Sequence, residues 1–226
     1  MSGTLWGIGI GPGDPELLTA KAIRLLAELP VLAWPAPLTG TGMARSIAAA
    51  HIPAGTSEIA IRLSFRPERD DTDAAYDQAA AAIAAHLQAG RDVGVLCEGD
   101  PLFFGSFIYV LKRLQGRFAV QVVPGISSPM AAAAMAVRPL SLLEDAVAII
   151  PATRSDAQIR AMLEPADSAV IMKVGRHLGR VKALLADMGL LAQALAVERA
   201  TLPEQRILAL AEAEDLSYFS LILVHK

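Results

Sequence analysis

The sequence predicts an α/β protein of two successive α/β domains, the first on a mostly parallel five-stranded sheet and the second on a mixed sheet. Three observations carry this. Short apolar runs alternate with helix-forming segments along residues 1–137, the pattern of a parallel sheet covered by helices on both faces. "VRPLSLLED" then breaks the alternation, and a second, shorter set begins. That set ends in two apolar runs, "QRILALA" and "FSLILVH", separated by a polar stretch too short for a crossover helix, so the two are expected to pair antiparallel. The expected domains are 1–137 and 138–226.

Each element follows from its local pattern. "TLWGIGI" is a buried strand ended by Gly11 to Asp14. Asp14 is placed to cap a helix with Pro15 in its first position, and Leu17, Leu18, Ala22, Leu25, Leu26 and Leu29 repeat at helical spacing. "VLAW" and "EIAI" are strands around the short helix "MARSIAAAH". Thr72 or Asp73 is expected to cap a long alanine-rich helix running to Ala89. "DVGVLC" and "FAVQVV" complete the first sheet, with helices over "SFIYVLKRLQ" and "SSPMAAAAMA". In the second domain "AVAIIP", "SAVIMKV" and "ALAVE" are strands, with helices from about Asp156 and over 178–188.

Composition narrows the function. The chain has 226 residues, is 54% hydrophobic, and carries 20 basic against 23 acidic side chains for a net charge of −3. No broad basic face for nucleic acid is expected from that balance. The single cysteine, Cys97, permits no internal disulfide, and His51, His86, His177 and His225 show no metal-ligand spacing. Residues 118–137, the longest uncharged run, contain Pro124 and Gly125 and make a poor membrane span. The reading is a cytoplasmic protein with no metal, nucleic-acid or membrane partner.

Three glycine-containing loops, each following a parallel strand, carry the candidate chemistry, because ligands of open α/β sheets bind beyond the carboxyl ends of the strands. The first, "GIGIGPGDPELLTAKA", fits neither nucleotide pattern. Pro12 or Asp14 occupies the third glycine position of the dinucleotide fingerprint, and no Gly-Lys-Ser/Thr follows. Asp14 at a helix entrance also competes with a phosphate for the same amides. Two readings remain, a tight strand-to-helix turn or a backbone wall against a flat, uncharged or cationic ligand. In the second loop, "CEGDPLFFG", Glu98 and Asp100 suit ribose hydroxyls or an ammonium group, and Asp100 equally suits a helix cap. In the third, "VVPGISSPM", Ser127 and Ser128 suit a helix cap and ligand contact alike, without a nucleophile elbow. Cys97, between an apolar strand and two acids, is expected to be buried and unreactive. On composition alone Met172 belongs to a core.

Together these loops resemble the tetrapyrrole (precorrin and uroporphyrinogen) methyltransferases that use S-adenosylmethionine. "GIGIGPGDPELLTAKA", "CEGDPLFFG", "VVPGISS", "VIMKV" and "ERATLPEQ" stand in that family's order and spacing across essentially the whole chain. "CEGDPLFFGSFIYVLKRL" followed by "VVPGISSPMAAAA" is most similar to the members that methylate C(20) of precorrin-2 in cobalamin biosynthesis. "VLAWPAPLTGTGMARSIAA" points to the same group. Members acting on the cobalt-containing substrate, or at another ring position, are the nearest alternatives. A non-catalytic nucleotide- or tetrapyrrole-binding protein on the same sheet is the alternative of a different class.

The resemblance implies a homodimer with the cofactor folded into a cleft between the two domains. It implies cofactor contacts by Pro12, by Glu98, Gly99 and Asp100 with Phe103 behind them, by Ser127 and Ser128, by Met172, and by Ala200 where relatives often have glycine. The uroporphyrinogen members' acid after the second strand and lysine after the third are replaced here by "AWPAP" and "IRLSF", which argues against that branch. "FRPERDD" also departs from the C(20) pattern. The implied reaction gives precorrin-3A and S-adenosylhomocysteine. The electron-rich macrocycle supplies the attacking carbon, so catalysis would rest on positioning, which can contribute roughly 7–11 kcal/mol. Because the substrate carries many carboxylates, a basic rim is expected from Arg62 and Arg66, with Arg45 as a further candidate.

Overall fold

The computed structural model describes residues 1–64 and 69–226. It divides into two compact units, Met1–Ser127 and Ser128–Lys226. The division therefore falls earlier in the chain than the expected 137/138.

In the first unit the strands are β1 (Thr4–Gly9), β2 (Val31–Pro37), β3 (Ser57–Leu63), β4 (Val93–Cys97) and β5 (Ala119–Val123). The helices are α1 (Ala20–Glu28), α2 (Met43–Ile47), α3 (Arg69–Gln88) and α4 (Phe107–Leu114). The sheet order is β3-β2-β4-β1-β5, and every pairing is parallel. Alternation along β2 shows how the sheet feeds two cores. Val31 and Ala33 pack with Ile83 and Leu87 of α3 and Val110 of α4. Leu32, Trp34 and Ala36 pack with Leu25 and Leu26 of α1 and Ile47 of α2 on the opposite face. Each fully buried Leu or Ile contributes about 1.5–3 kcal/mol.

Two helix starts differ from the sequence expectation. Asp14 caps only a one-turn 3-10 segment, Pro15–Leu17, by accepting from the Glu16 amide at 2.9 Å. Leu18 is then extended, and α1 begins afresh behind Thr19, whose hydroxyl accepts from the Ala22 amide at 3.2 Å. The Thr19 hydroxyl, following the extended Leu18, sets where the α-helix starts. Helix α3 starts at Arg69, so Thr72 and Asp73 lie inside it. Asp73 and Asp77, one turn apart, instead pair with Arg113 at 3.2 and 2.6 Å and tie α3 to α4.

The second unit contains α5 (Ser128–Met135), β6 (Val147–Pro151), α6 (Asp156–Leu163), β7 (Ser168–Met172), α7 (Leu178–Asp187), β8 (Ala194–Glu198), β9 (Arg206–Ala209) and β10 (Ser220–His225). Its sheet order is β6-β7-β10-β8-β9, with only β6 and β7 parallel. The last two strands do not pair with each other, contrary to the sequence expectation. β10, buried along nearly its whole length, runs antiparallel between β7 and β8, while the more exposed β9 forms a hairpin with β8 at the edge. The more apolar of the two strands takes the interior of the sheet, where both faces are covered, and the more polar one takes the edge.

Helices α6 and α7 cover one face of this sheet, packing on Ala169, Ile171, Ala196 and Ile222. Ala132 of α5 covers the other, over Val170, Val197, Leu221 and Leu223. That packing assigns α5 to the second unit and accounts for the division before Ser128. Ser155 and Gln158 form a reciprocal capping box at the start of α6. Lys226 closes its other end by donating to the carbonyls of Leu163 and Glu164 at 2.7 and 2.9 Å. Among the described residues no helix is long and apolar enough to cross a membrane.

Candidate functional site

In the first unit, strand order places the loops after β1, β4 and β5 side by side, since β1 lies between β4 and β5. Their backbones touch. Gly11 and Gly99 form an isolated antiparallel bridge, with N–H to O distances of 3.3 and 2.7 Å. Both have positive φ, +75° and +66°, where a side chain is disfavoured. A Cβ on Gly125 would lie 2.1 Å from the Gly99 carbonyl oxygen, and one on Gly9 would lie 2.4 Å from the Gly125 nitrogen. These glycines are therefore required for backbone approach.

The same contacts decide the phosphate question. The Gly11 amide donates to Gly99, the Gly99 amide to Gly11, and the Gly125 amide to Oδ2 of Asp100 at 3.1 Å. A phosphate cradle needs such amides free to face the ligand; here they are used within the protein.

Asp100 holds the loops together. Its Oδ2 binds the Gly125 amide and its Oδ1 accepts from the Leu102 amide at 2.9 Å. It does not cap α4, which begins several residues later behind Ser106. Glu98 keeps solvent exposure as a residue. Crowding of its carboxyl by the protein nevertheless raises its pKa above the ordinary carboxylate value, opposed by the Ala44 amide in the first turn of α2. Pro12 is half-buried, as is Phe103, which packs edge-to-face on Phe104 at 5.0 Å between ring centres. Ser127 precedes α5 and Ser128 is its first residue, both half-buried. Cys97 is buried, its thiol pushed up by burial and 3.5 Å from the Ser106 hydroxyl.

In the second unit, Leu221 of β10 pairs with Met172 on one side and Val197 on the other. The carboxyl ends of β7 and β8 thus share one edge of the sheet. Met172 and Ala200, both half-buried, pack against the apolar cluster on the α5 face. The backbone around them is unusual. Lys173, Arg199 and Thr201 have φ of +58°, +49° and +73° without being glycine.

The candidate substrate arginines have partners of their own. Arg45 is ion-paired with Glu58 at 2.8 Å and lies over the Trp34 ring. Arg62 donates to the carbonyls of Pro37 and Gly40 at 2.9 and 2.5 Å, bracing the loop after β2. Arg66 lies outside the described residues.

Sequence reasoning missed Glu198. It ends β8, is 5% exposed, and accepts from Arg206 Nε at 2.5 Å and from the Ser217 amide at 2.6 Å. Burial pushes its pKa up, but Arg206 and Ser217 outweigh that and hold it below the ordinary value. The available signal was an acid closing an apolar strand with an arginine eight positions on, inside "ERATLPEQR".

Two α/β units, the first with glycine loops gathered at the carboxyl ends of a parallel sheet and the Gly11, Gly99 and Gly125 amides bonded within the protein, define an α/β protein whose loops match neither nucleotide pattern. The chain belongs to the tetrapyrrole (corrin/porphyrin) methylases, whose family pattern matches residues 4–215. It is 41% identical to a precorrin-2 C(20)-methyltransferase of Sinorhizobium sp over 98% of this chain and 95% of that protein. It is 37% identical to a cobalt-precorrin-2 C(20)-methyltransferase of Salmonella typhimurium over 100% of this chain and 98% of that one. The fold matches a uroporphyrin-III C-methyltransferase from Thermus thermophilus, solved with S-adenosyl homocysteine, at a TM-score of 0.74. That match has 24% identity and covers 99% of this chain and 98% of the other.

Proposed function

We propose that the protein methylates C(20) of precorrin-2 in cobalamin biosynthesis, using S-adenosylmethionine and giving precorrin-3A and S-adenosylhomocysteine. The observation that carries this is similarity along nearly the full length of both chains to C(20)-methyltransferases. In the reaction a C–S bond of the sulfonium breaks, a C–C bond forms at C(20), and the meso proton is released.

The first unit fits such a cofactor. Its Gly11, Gly99 and Gly125 amides are bonded within the protein rather than turned to a phosphate, and the acids Glu98 and Asp100 suit hydroxyls and a cation. Within this reading Pro12, Glu98, Gly99, Asp100, Phe103 and Ser127 of the first unit take part in cofactor binding, Asp100 also holding the loops in register. Ser128, Met172 and Ala200 of the second unit contribute there. Arg45 and Arg62 keep guanidinium donors beyond those used internally, and with Arg66 they are the proposed contacts to the substrate carboxylates. The reading includes a homodimer, supported by the exposed apolar residues Met130, Met135, Val137, Leu142 and Leu143. It also includes a cytoplasmic location, in keeping with the biosynthetic role of the relatives.

The 37% identical cobalt-precorrin-2 relative favours a second substrate, the cobalt-containing macrocycle. Parallel incubations of the two macrocycles with S-adenosylmethionine test both, read by the mass of one added methyl. Turnover of metal-free precorrin-2 is expected. Turnover of the cobalt form alone shifts the assignment to it, and no methylation of either overturns the reading.

A further inference from the structure

We infer that Glu198 is a positioning residue that fixes the backbone around Ala200; this rests on the proposed placement of Ala200 against the cofactor. Glu198 is the last residue of β8, so the chain must turn immediately after it. The turn is made at a cost, since Arg199 and Thr201, which flank Ala200, both sit at positive φ. For Thr, a β-branched residue, that conformation is a genuine outlier. Such geometry persists only where the surroundings over-determine it, and it gathers at ligand-binding segments.

The surroundings here converge on Glu198. Its Oε2 accepts from Arg206, its register partner on β9, and its Oε1 accepts from the Ser217 amide. Arg206 also reaches Asp215, donating to its carbonyl at 3.3 Å and lying 3.6 Å from its carboxylate. One buried carboxylate thus ties the end of β8 to β9 and to the turn that leads into β10. The Arg199 amide adds a bond to the Phe219 carbonyl at 2.7 Å, and the Thr201 amide one to Gln205 Oε1 at 2.8 Å. A carboxylate 5% exposed at a strand end is a costly choice if packing alone is needed. Two donors from separate segments give it a specific task, which is to hold the strained turn in one geometry before the cofactor arrives.

The test uses the full chain with S-adenosylhomocysteine as probe, read by calorimetric affinity and by melting temperature. Glu198→Gln keeps the shape and removes the charge, Arg206→Gln leaves the Ser217 bond, and the double variant completes a cycle. Lys226→Ala, at the end of α6 and outside any binding role, is the stability control. Affinity is expected to fall about tenfold in each single variant, within the range of coupling found in one hydrogen-bond network. It should fall little further in the double variant, and Arg206→Lys should recover most of the loss. Lys226→Ala should melt earlier with affinity unchanged. If Glu198→Gln does not fold, Arg206→Gln alone carries the comparison. Variants that melt earlier but bind like wild type overturn the inference and leave the methyltransferase reading intact. A folded wild-type chain without affinity for S-adenosylhomocysteine overturns both.

Discussion

The two units shape most of their candidate loops by different means, Phe104 at φ +55° being the first unit's exception. In the first, glycine removes the obstacle: Gly9, Gly99 and Gly125 let three backbones meet, and Asp100 fastens them. In the second, Lys173, Arg199 and Thr201 occupy positive φ with side chains in place, and Glu198 with Arg206 and Ser217 holds the turn around Ala200. A glycine loop is relaxed once closed and fails when atoms are added. A strained loop fails when its restraints are removed. The first kind is written in the sequence as composition, the second only as long-range pairing.

That difference can be broken or sharpened by substitution. The largest effect is expected from Gly125→Ala, whose new methyl would sit 2.1 Å from the Gly99 carbonyl oxygen. Loss of stability of about 3 kcal/mol and abolished S-adenosylhomocysteine binding should appear in denaturant titration and calorimetry. Asp100→Ala comes next. It leaves the Gly125 and Leu102 amides without their acceptor, at a cost of about 2 kcal/mol, with cofactor affinity falling alongside. A tolerant Asp100→Ala variant would mean that the glycines alone set the loop geometry.

Acid titration probes the second unit. Glu198 is held below the ordinary glutamate pKa, so its contribution is present above the unfolded-state value. It is lost as pH falls through the lower folded-state value. The stability gap between wild type and Glu198→Gln, measured by urea denaturation, should therefore be largest near neutrality and shrink through the acid carboxylate range. A gap independent of pH would show that the carboxylate charge is irrelevant. Smallest of all, Arg199→Gly should relieve the +49° backbone and raise stability by about 1 kcal/mol. Cofactor affinity should drop modestly, because the turn gains freedom. In the first unit the turns at Gly11 and Gly99 are glycine already, and Phe104, at φ +55°, is the position for the same exchange.

The alternation of strands and helices was legible because it follows from local periodicity. So were the three glycine loops, and so was the burial of Cys97. Strand order in the second unit was not. "QRILALA" and "FSLILVH" are adjacent in sequence, and nothing local says that the more apolar one will slot between β7 and β8 while the other pairs backward along β8. The start of α1 was misplaced because Asp14 and Thr19 are both sound caps, and the extended backbone at Leu18 decides between them. The bond from the Gly125 amide to Asp100 was not legible, because Gly125 lies on another loop and is brought near only by the sheet. Glu198 stood inside a motif used to detect kinship, yet its role needs Ser217, which becomes its neighbour only after β10 has been threaded into the sheet.

Methylation at C(20) fixes where the new methyl group must lie. Incubation of the folded chain with precorrin-2 and S-adenosylmethionine carrying a carbon-13 methyl, followed by NMR of the product, locates it. A single labelled methyl on C(20) is expected. A label on any other ring position, or none in the macrocycle, contradicts it.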